Sequence, residues 1–209
     1  GPAELPKSGG RYDLAIAAGI LVASTQLAPE QLEGFDLLGE LSLFGDVRPV
    51  RGALTAARET RRIGKALLCP AENQHEFDTQ VRPGIKLISH LNQLANLKNL
   101  PEPKGSQQQT AWSAPDPLRQ VVGQDRAKRA LTIAAAGGHH MLMSGPPGAG
   151  KTMLAERLRD LLPPLAQHEQ AEVAEIYSLG GMKPPVGGAA PLRSPHHSAS
   201  CAALTGGGA

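Results

Sequence analysis

Residues 144–152, Ser144-Gly145-Pro146-Pro147-Gly148-Ala149-Gly150-Lys151-Thr152, carry the G-x-x-x-x-G-K-T spacing of a phosphate-binding loop. Glycines in such a loop let backbone N–H groups turn inward around phosphates, and the helix that follows adds partial positive charge at its N-terminus. The flanks fit this reading. His140-Met141-Leu142-Met143 is a short apolar run that predicts a buried parallel strand, and Met153, Leu154, Leu158, Leu161 and Leu162 recur at helical spacing. The pattern assigns Lys151 to the β- and γ-phosphates and the Thr152 hydroxyl to Mg²⁺, with Gly145, Pro146, Pro147, Gly148, Ala149 and Gly150 forming the cradle. It therefore implies a site for a nucleoside triphosphate with Mg²⁺, rather than a glycine-rich turn that matches by chance.

Working outward, a domain holding the loop begins at Leu118. Val121-Val122-Gly123-Gln124 precedes a helix from Asp125 to Ala136 that stops at Gly137-Gly138. Beyond the loop and its helix, Pro163-Pro164 ends that element and Gln167 to Leu179 predicts another helix. Residues 180–195 are rich in glycine and proline and lead into Arg193-Ser194-Pro195-His196-His197-Ser198. No apolar run after Thr152 leads into Asp-Glu. A phosphate-loop ATPase uses such a strand to hold Mg²⁺ and polarise the attacking water. The chain is therefore expected to be a piece of a larger ATPase.

Ahead of this domain, residues 1–98 predict an α/β domain. Residues 12–27 read as a small-residue helix buried on most sides, Leu38–Leu43 and Val47–Val50 as a hairpin, and Ala53–Arg62 as a helix ending at Gly64. A strand over 65–69, a short polar helix over 72–78, a strand over Ile85–Ile88 and a helix marked by Leu91, Leu94 and Leu97 complete it. Residues 99–117 carry Pro101, Pro103, Pro115 and Pro117 around Gln107-Gln108-Gln109 and read as an extended polar linker. Trp112 inside it is expected to pin the linker to a surface.

Composition narrows the function classes. Of 209 residues 19% are charged and 41% hydrophobic, enough to build two cores. Aromatics at 3% argue against a stacking platform for single strands, and a net charge of +2 demands no polyanionic partner. Cys69 and Cys201 lie outside any C-x-x-C pattern and read as reduced thiols. The apolar run Leu14–Ala23 is too short to span a bilayer, so the expected location is the cytoplasm, with no membrane partner.

Taken together, V-V-G-Q, then G-G-H-H-x-L-x-S-G-P-P-G-A-G-K-T-M-L-A, then R-S-P-H-H-S-A-S resemble the bacterial magnesium-chelatase-like AAA+ ATPases of the ComM (YifB) family. Pro6-Lys7-Ser8-Gly9-Gly10-Arg11-Tyr12-Asp13-Leu14 and Gly39-Glu40-Leu41-Ser42-Leu43-Phe44-Gly45-Asp46-Val47-Arg48-Pro49-Val50 resemble the Lon-type domain that precedes the ATPase there. The resemblance implies a Lon-protease/S5-like α/β domain over 1–98, a linker over 99–117, and the first part of a three-layer P-loop AAA+ domain over 118–209. It further implies ATP and Mg²⁺ as ligands, a homo-hexameric ring, and branch migration of branched or forked DNA in recombination and natural transformation. Val122 falls in the segment that packs on adenine. Arg193, His196 and His197 fall in a helix-2 insertion that faces the pore in related rings, where they are candidates for contact with DNA or a neighbouring subunit.

The sequence also bears on other chemistries. A Lon-type protease needs a serine nucleophile and a lysine base, but Arg11 and Leu54 occupy the two positions. Dedicated metal-insertion ATPases of the magnesium-chelatase type lack a preceding Lon-type domain. Adjacent histidines such as His139-His140 and His196-His197 rarely converge on one zinc ion. A nucleotide-binding module without hydrolysis stays open, since the acidic strand is not visible in the sequence.

Overall fold

The computed structural model describes residues 9–77, 82–104 and 116–206. Trp112, Lys7, Ser8 and the glutamine run lie outside the described residues. The chain forms two compact units, Gly1–Gln108 with His168–Pro184, and Gln109–Gln167 with Pro185–Ala209. The helices among the described residues are α1 (Asp13–Ala23), α2 (Ala53–Arg62), α3 (Asp125–Gly137), α4 (Lys151–Leu161), α5 (Gln167–Leu179) and α6 (Cys201–Thr205). None is long and apolar enough to cross a membrane.

The first unit is α/β. Strands β1 (Phe35–Leu37), β4 (Ala66–Pro70) and β5 (Ile85–Ile88) form a parallel sheet in the order β1-β4-β5, while β2 (Glu40–Leu41) and β3 (Val47–Arg48) pair antiparallel. In register, Asp36 stands opposite Leu67, and Leu67 opposite Ile85. A buried parallel sheet needs cover on both faces. Alternation along β4 supplies it: Leu67 and Cys69 join one cluster with Leu54, Ala57 and Phe77, and Leu68 joins another with Leu14, Ala18 and Ile88. Helix α2 thus covers one face and α1 the other. Burial pushes the Cys69 thiol well above its ordinary range, which keeps it protonated and inert.

The hairpin is shorter than its sequence suggests because the Ser42–Asp46 turn consumes its ends. The Ser42 hydroxyl donates to Asp46 Oδ2 at 3.0 Å and accepts from the Asp46 N–H at 3.0 Å. Gly39 fits only glycine, since a Cβ there would stand 2.7 Å from Val47 Cγ1. Strand β1 escaped the sequence reading, having only three residues with Asp36 at its centre. The helices expected near 72–78 and 91–97 are 3₁₀ segments, Ala71–Glu76 and Leu91–Asn99. Helix α1 buries Leu14 and Ala18 but leaves Ile16 and Ile20 exposed, so it is buried on one side rather than on most.

Helix α5 packs with the first unit, although the sequence groups it with the phosphate loop. Ala174 lies against the cluster that holds Leu54 and Ala57. The Arg58 guanidinium pairs with the Glu175 carboxylate and donates to the Ala171 carbonyl at 3.4 Å. The Ser178 carbonyl accepts from the Gly52 N–H at 3.0 Å, and the Ser178 hydroxyl donates to Glu76. Glu76 also accepts from the Leu54 N–H at 3.3 Å and from the Asn73 amide. The same Asn73 side chain accepts from the Val50 N–H at 3.1 Å and donates to the Val50 carbonyl at 2.8 Å.

In the second unit α3 and α4 pack around Leu118, Val121, Leu131 and Leu154. The expected strand at His140–Met143 does not form. These residues have no strand neighbour among the described residues, and Leu142 is 95% exposed. Met141 and Met143 still pack on the unit's core.

Because Glu76 serves three donors from three segments, Glu76→Ala leaves partly buried polar groups unpaired. It should destabilise the protein by about 2 kcal/mol, read as a lower urea midpoint at unchanged slope.

Candidate nucleotide site

The loop is shaped by two left-handed glycines, Gly148 at φ 79° and Gly150 at φ 78°, the second forming the N-cap of α4. Side chains resist this conformation, so glycine is needed at both positions. A helix leaves its first N–H groups without intrahelical acceptors. Here those of Gly150, Lys151, Thr152 and Met153 find no acceptor among the described residues. They are four donors at the positive end of α4, the arrangement that binds phosphate. Lys151 Nζ donates to the Gly145 carbonyl at 2.8 Å and the Pro146 carbonyl at 2.7 Å, so the cation sits over the loop that its sequence position assigns it to. Thr152 is exposed, with its hydroxyl available to a cation. This donor set fits a magnesium-bound triphosphate.

The Val121–Gln124 segment lies beside the loop. Val121 is 3% exposed and anchors the segment in the core, whereas Val122 is 93% exposed and open to an apolar ligand face. Gln124 Nε2 donates to the Ala149 carbonyl at 3.1 Å, joining this segment to the loop. The sequence resemblance places the whole Val121–Gln124 segment on the adenine and does not separate Gln124 from it. The clue was a long amide side chain directly after a glycine and before a helix. Nearby, Arg157 Nη2 of α4 donates to Gln120 Oε1 at 3.0 Å.

The remaining candidates lie elsewhere. His196 and His197 are exposed, with ring centroids 4.0 Å apart. His196 Nδ1 meets the Ser198 hydroxyl at 2.7 Å and accepts from the Ser198 N–H at 3.3 Å. Arg193 is exposed on the same segment. His139 is exposed, and its ring lies against Gly137, where a Cβ would stand 2.3 Å from it.

In the first unit, Leu54 is 2% exposed within the core. The Arg11 guanidinium lies 5.3 Å from the Tyr12 ring centroid, and its Nη2 is 3.9 Å from where a Gly52 Cβ would stand. Arg11 therefore sits beside the start of the helix that carries Leu54. Arg11 carries a permanent positive charge and Leu54 is a buried hydrocarbon, so neither side chain can act as a nucleophile or a base.

Comparison with known proteins sets this geometry in context. Residues 1–73 match the family described as subunit ChlI of Mg-chelatase, and residues 117–209 match the family described as magnesium chelatase, subunit ChlI. The chain is similar to the uncharacterized protein YifB of Salmonella typhimurium, 45% identical over 100% of this chain and 42% of that protein. It is also similar to the competence protein ComM of Haemophilus influenzae, 41% identical over 99% of this chain and 43% of that one. A shorter likeness joins it to the archaeal Lon protease of Archaeoglobus fulgidus, 48% identical over 46 residues, 22% of this chain and 7% of that protein. The chain thus spans less than half the length of its full-span relatives.

On the reading that puts Arg11 and Leu54 at the dyad positions, the full-length protein should not cleave casein in the presence of ATP. ATP-stimulated release of casein peptides, in a preparation shown to be free of Lon, would overturn this assignment.

Proposed function

This chain belongs to the magnesium-chelatase ChlI-like family that includes the YifB and ComM proteins, and from that premise we propose that it is the ATP-binding portion of an AAA+ motor. In this reading the full protein hydrolyses ATP with Mg²⁺, works as a homo-hexameric ring in the cytoplasm and migrates branched DNA during recombination and natural transformation. Residues 1–98 are a Lon-type domain that serves as a scaffold rather than a protease, and residues 118–209 begin the AAA+ domain.

The observation that carries the proposal is the phosphate loop: four N–H donors at the start of α4 with Lys151 above them. Lys151 now rests on two carbonyl oxygens. A triphosphate offers the same ammonium fully charged oxygens, and charge-assisted bonds are about twice as strong as neutral ones. Binding thus exchanges weak acceptors for strong ones without moving the loop far. The exposed Val122 provides an apolar contact for a base, and the Thr152 hydroxyl supplies one ligand to Mg²⁺. The role in transformation is supported by the relative named competence protein ComM.

Two measurements test this. Lys151→Ala should weaken MgATP binding by roughly tenfold to a hundredfold, the loss expected for charge-assisted bonds to phosphate, while leaving the circular dichroism spectrum intact. Retention of wild-type affinity would reject the nucleotide assignment. Arg193→Ala should lower DNA-stimulated ATPase and flatten the salt dependence of DNA binding while sparing basal ATPase, because fewer counterions are released. Loss of ring assembly without DNA would instead give Arg193 a bracing role between subunits.

A further inference from the structure

The Gln124 backbone is left-handed, at φ 56° and ψ 38°, directly after the left-handed Gly123 at φ 67°. Among the described residues only one other non-glycine, Thr25, shares a positive φ. Glycine would hold this conformation without strain, so the retained side chain calls for an explanation. Gln124 is the N-cap residue of α3, yet its side chain makes no cap to its own helix. It reaches across to the Ala149 carbonyl at 3.1 Å. Its Nε2 also stands 3.3 Å from where a Cβ on Gly150 would be, so the amide packs onto the glycine that starts α4.

A trans peptide points its C=O and N–H in opposite directions. Holding the Ala149 carbonyl toward Gln124 therefore turns the Gly150 N–H the other way. That N–H is one of the donors without an acceptor among the described residues. We propose that Gln124 is a positioning residue that fixes the Ala149–Gly150 peptide so that the phosphate loop presents its N–H groups to bound phosphates. The inference rests on the nucleotide-binding reading above and assigns Gln124 to the phosphate end of the ligand, not to its base.

The test uses the full-length protein and four forms: wild type, Gln124→Gly, Gln124→Glu and Lys151→Ala. Each is titrated with MgATP and with magnesium tripolyphosphate, and each is melted without ligand. Gln124→Gly releases the backbone strain while removing the bond, so its melting temperature should stay within about 4 °C of wild type. Both ligands should nevertheless bind roughly fivefold to tenfold more weakly, the loss expected for one hydrogen bond. Gln124→Glu keeps the length but sets a carboxylate against the carbonyl, and should bind both ligands more weakly still.

The proposal is overturned if both variants hold the two ligands within about twofold of wild type, a change below that of one hydrogen bond. It is equally overturned if only MgATP is weakened, which would place Gln124 at the base. A loss of affinity that merely tracks a large fall in melting temperature would assign Gln124 to folding and also overturn it. Wild-type binding by Lys151→Ala is a separate outcome that rejects the nucleotide reading itself.

Discussion

The first unit depends on β4 being paired on both edges by parallel strands. Such a strand cannot close on its neighbour through a tight turn, so each connection must cross over a face of the sheet. The connection from β1 to β4 contains the β2–β3 hairpin and α2, and that from β4 to β5 contains the 3₁₀ segment Ala71–Glu76. Both faces of β4 are then sealed, Leu67 and Cys69 against the α2 side and Leu68 against the α1 side. With β4 buried, a polar substitution at any of these three positions has no water to turn to and no spare partner, which explains their uniform apolar character.

The crossovers also settle how α2 begins. Its N-cap is Gly52, which has no side chain to satisfy the orphan N–H groups. The donors are instead met from outside the helix, Leu54 by Glu76 and Gly52 by the Ser178 carbonyl. Helix α5 is thereby drawn into the first unit by the needs of α2, reinforced by the Arg58–Glu175 pair. In chain order α4 ends at Leu161 and α5 begins at Gln167. The phosphate-loop helix therefore runs, after a short connection, into a helix whose contacts lie with the first unit.

What the sequence made legible follows from the range of the interactions involved. Helices α2 to α5 and strands β4 and β5 announce themselves through local periodicity and through breakers such as Gly64 and Pro70. The loop at 145–152 is legible because the phosphate-binding loop pattern is one of fixed residue spacing. Strand β1 was not, because Asp36 interrupts its apolar pattern and its place is secured by pairing with β4 and by the distant Lys65–Asp36 ion pair at 2.9 Å. The allegiance of α5 was hidden for the same reason, since Arg58 and Glu175 are far apart in sequence. The run His140–Met143 shows the converse: apolar character alone does not make a strand when no neighbour is there to pair with it. Gln124 was visible as a letter in a motif, but its backbone conformation and its reach to Ala149 were not.

Nucleotide binding and hydrolysis place different demands on a chain. Holding phosphates requires donors that are fixed before the ligand arrives. Here one continuous stretch supplies them through two left-handed glycines, a helix start and a lysine already lying over the loop. Activating water requires an acidic group delivered from another strand of the same sheet. The donors cost nothing to reorganise at the moment of binding, because the glycine turns and the Gln124 contact have already set the direction of the peptides they belong to. Binding can thus be specified locally, by residues close in sequence or joined by a single side-chain bond, while turnover depends on a second element set against the first.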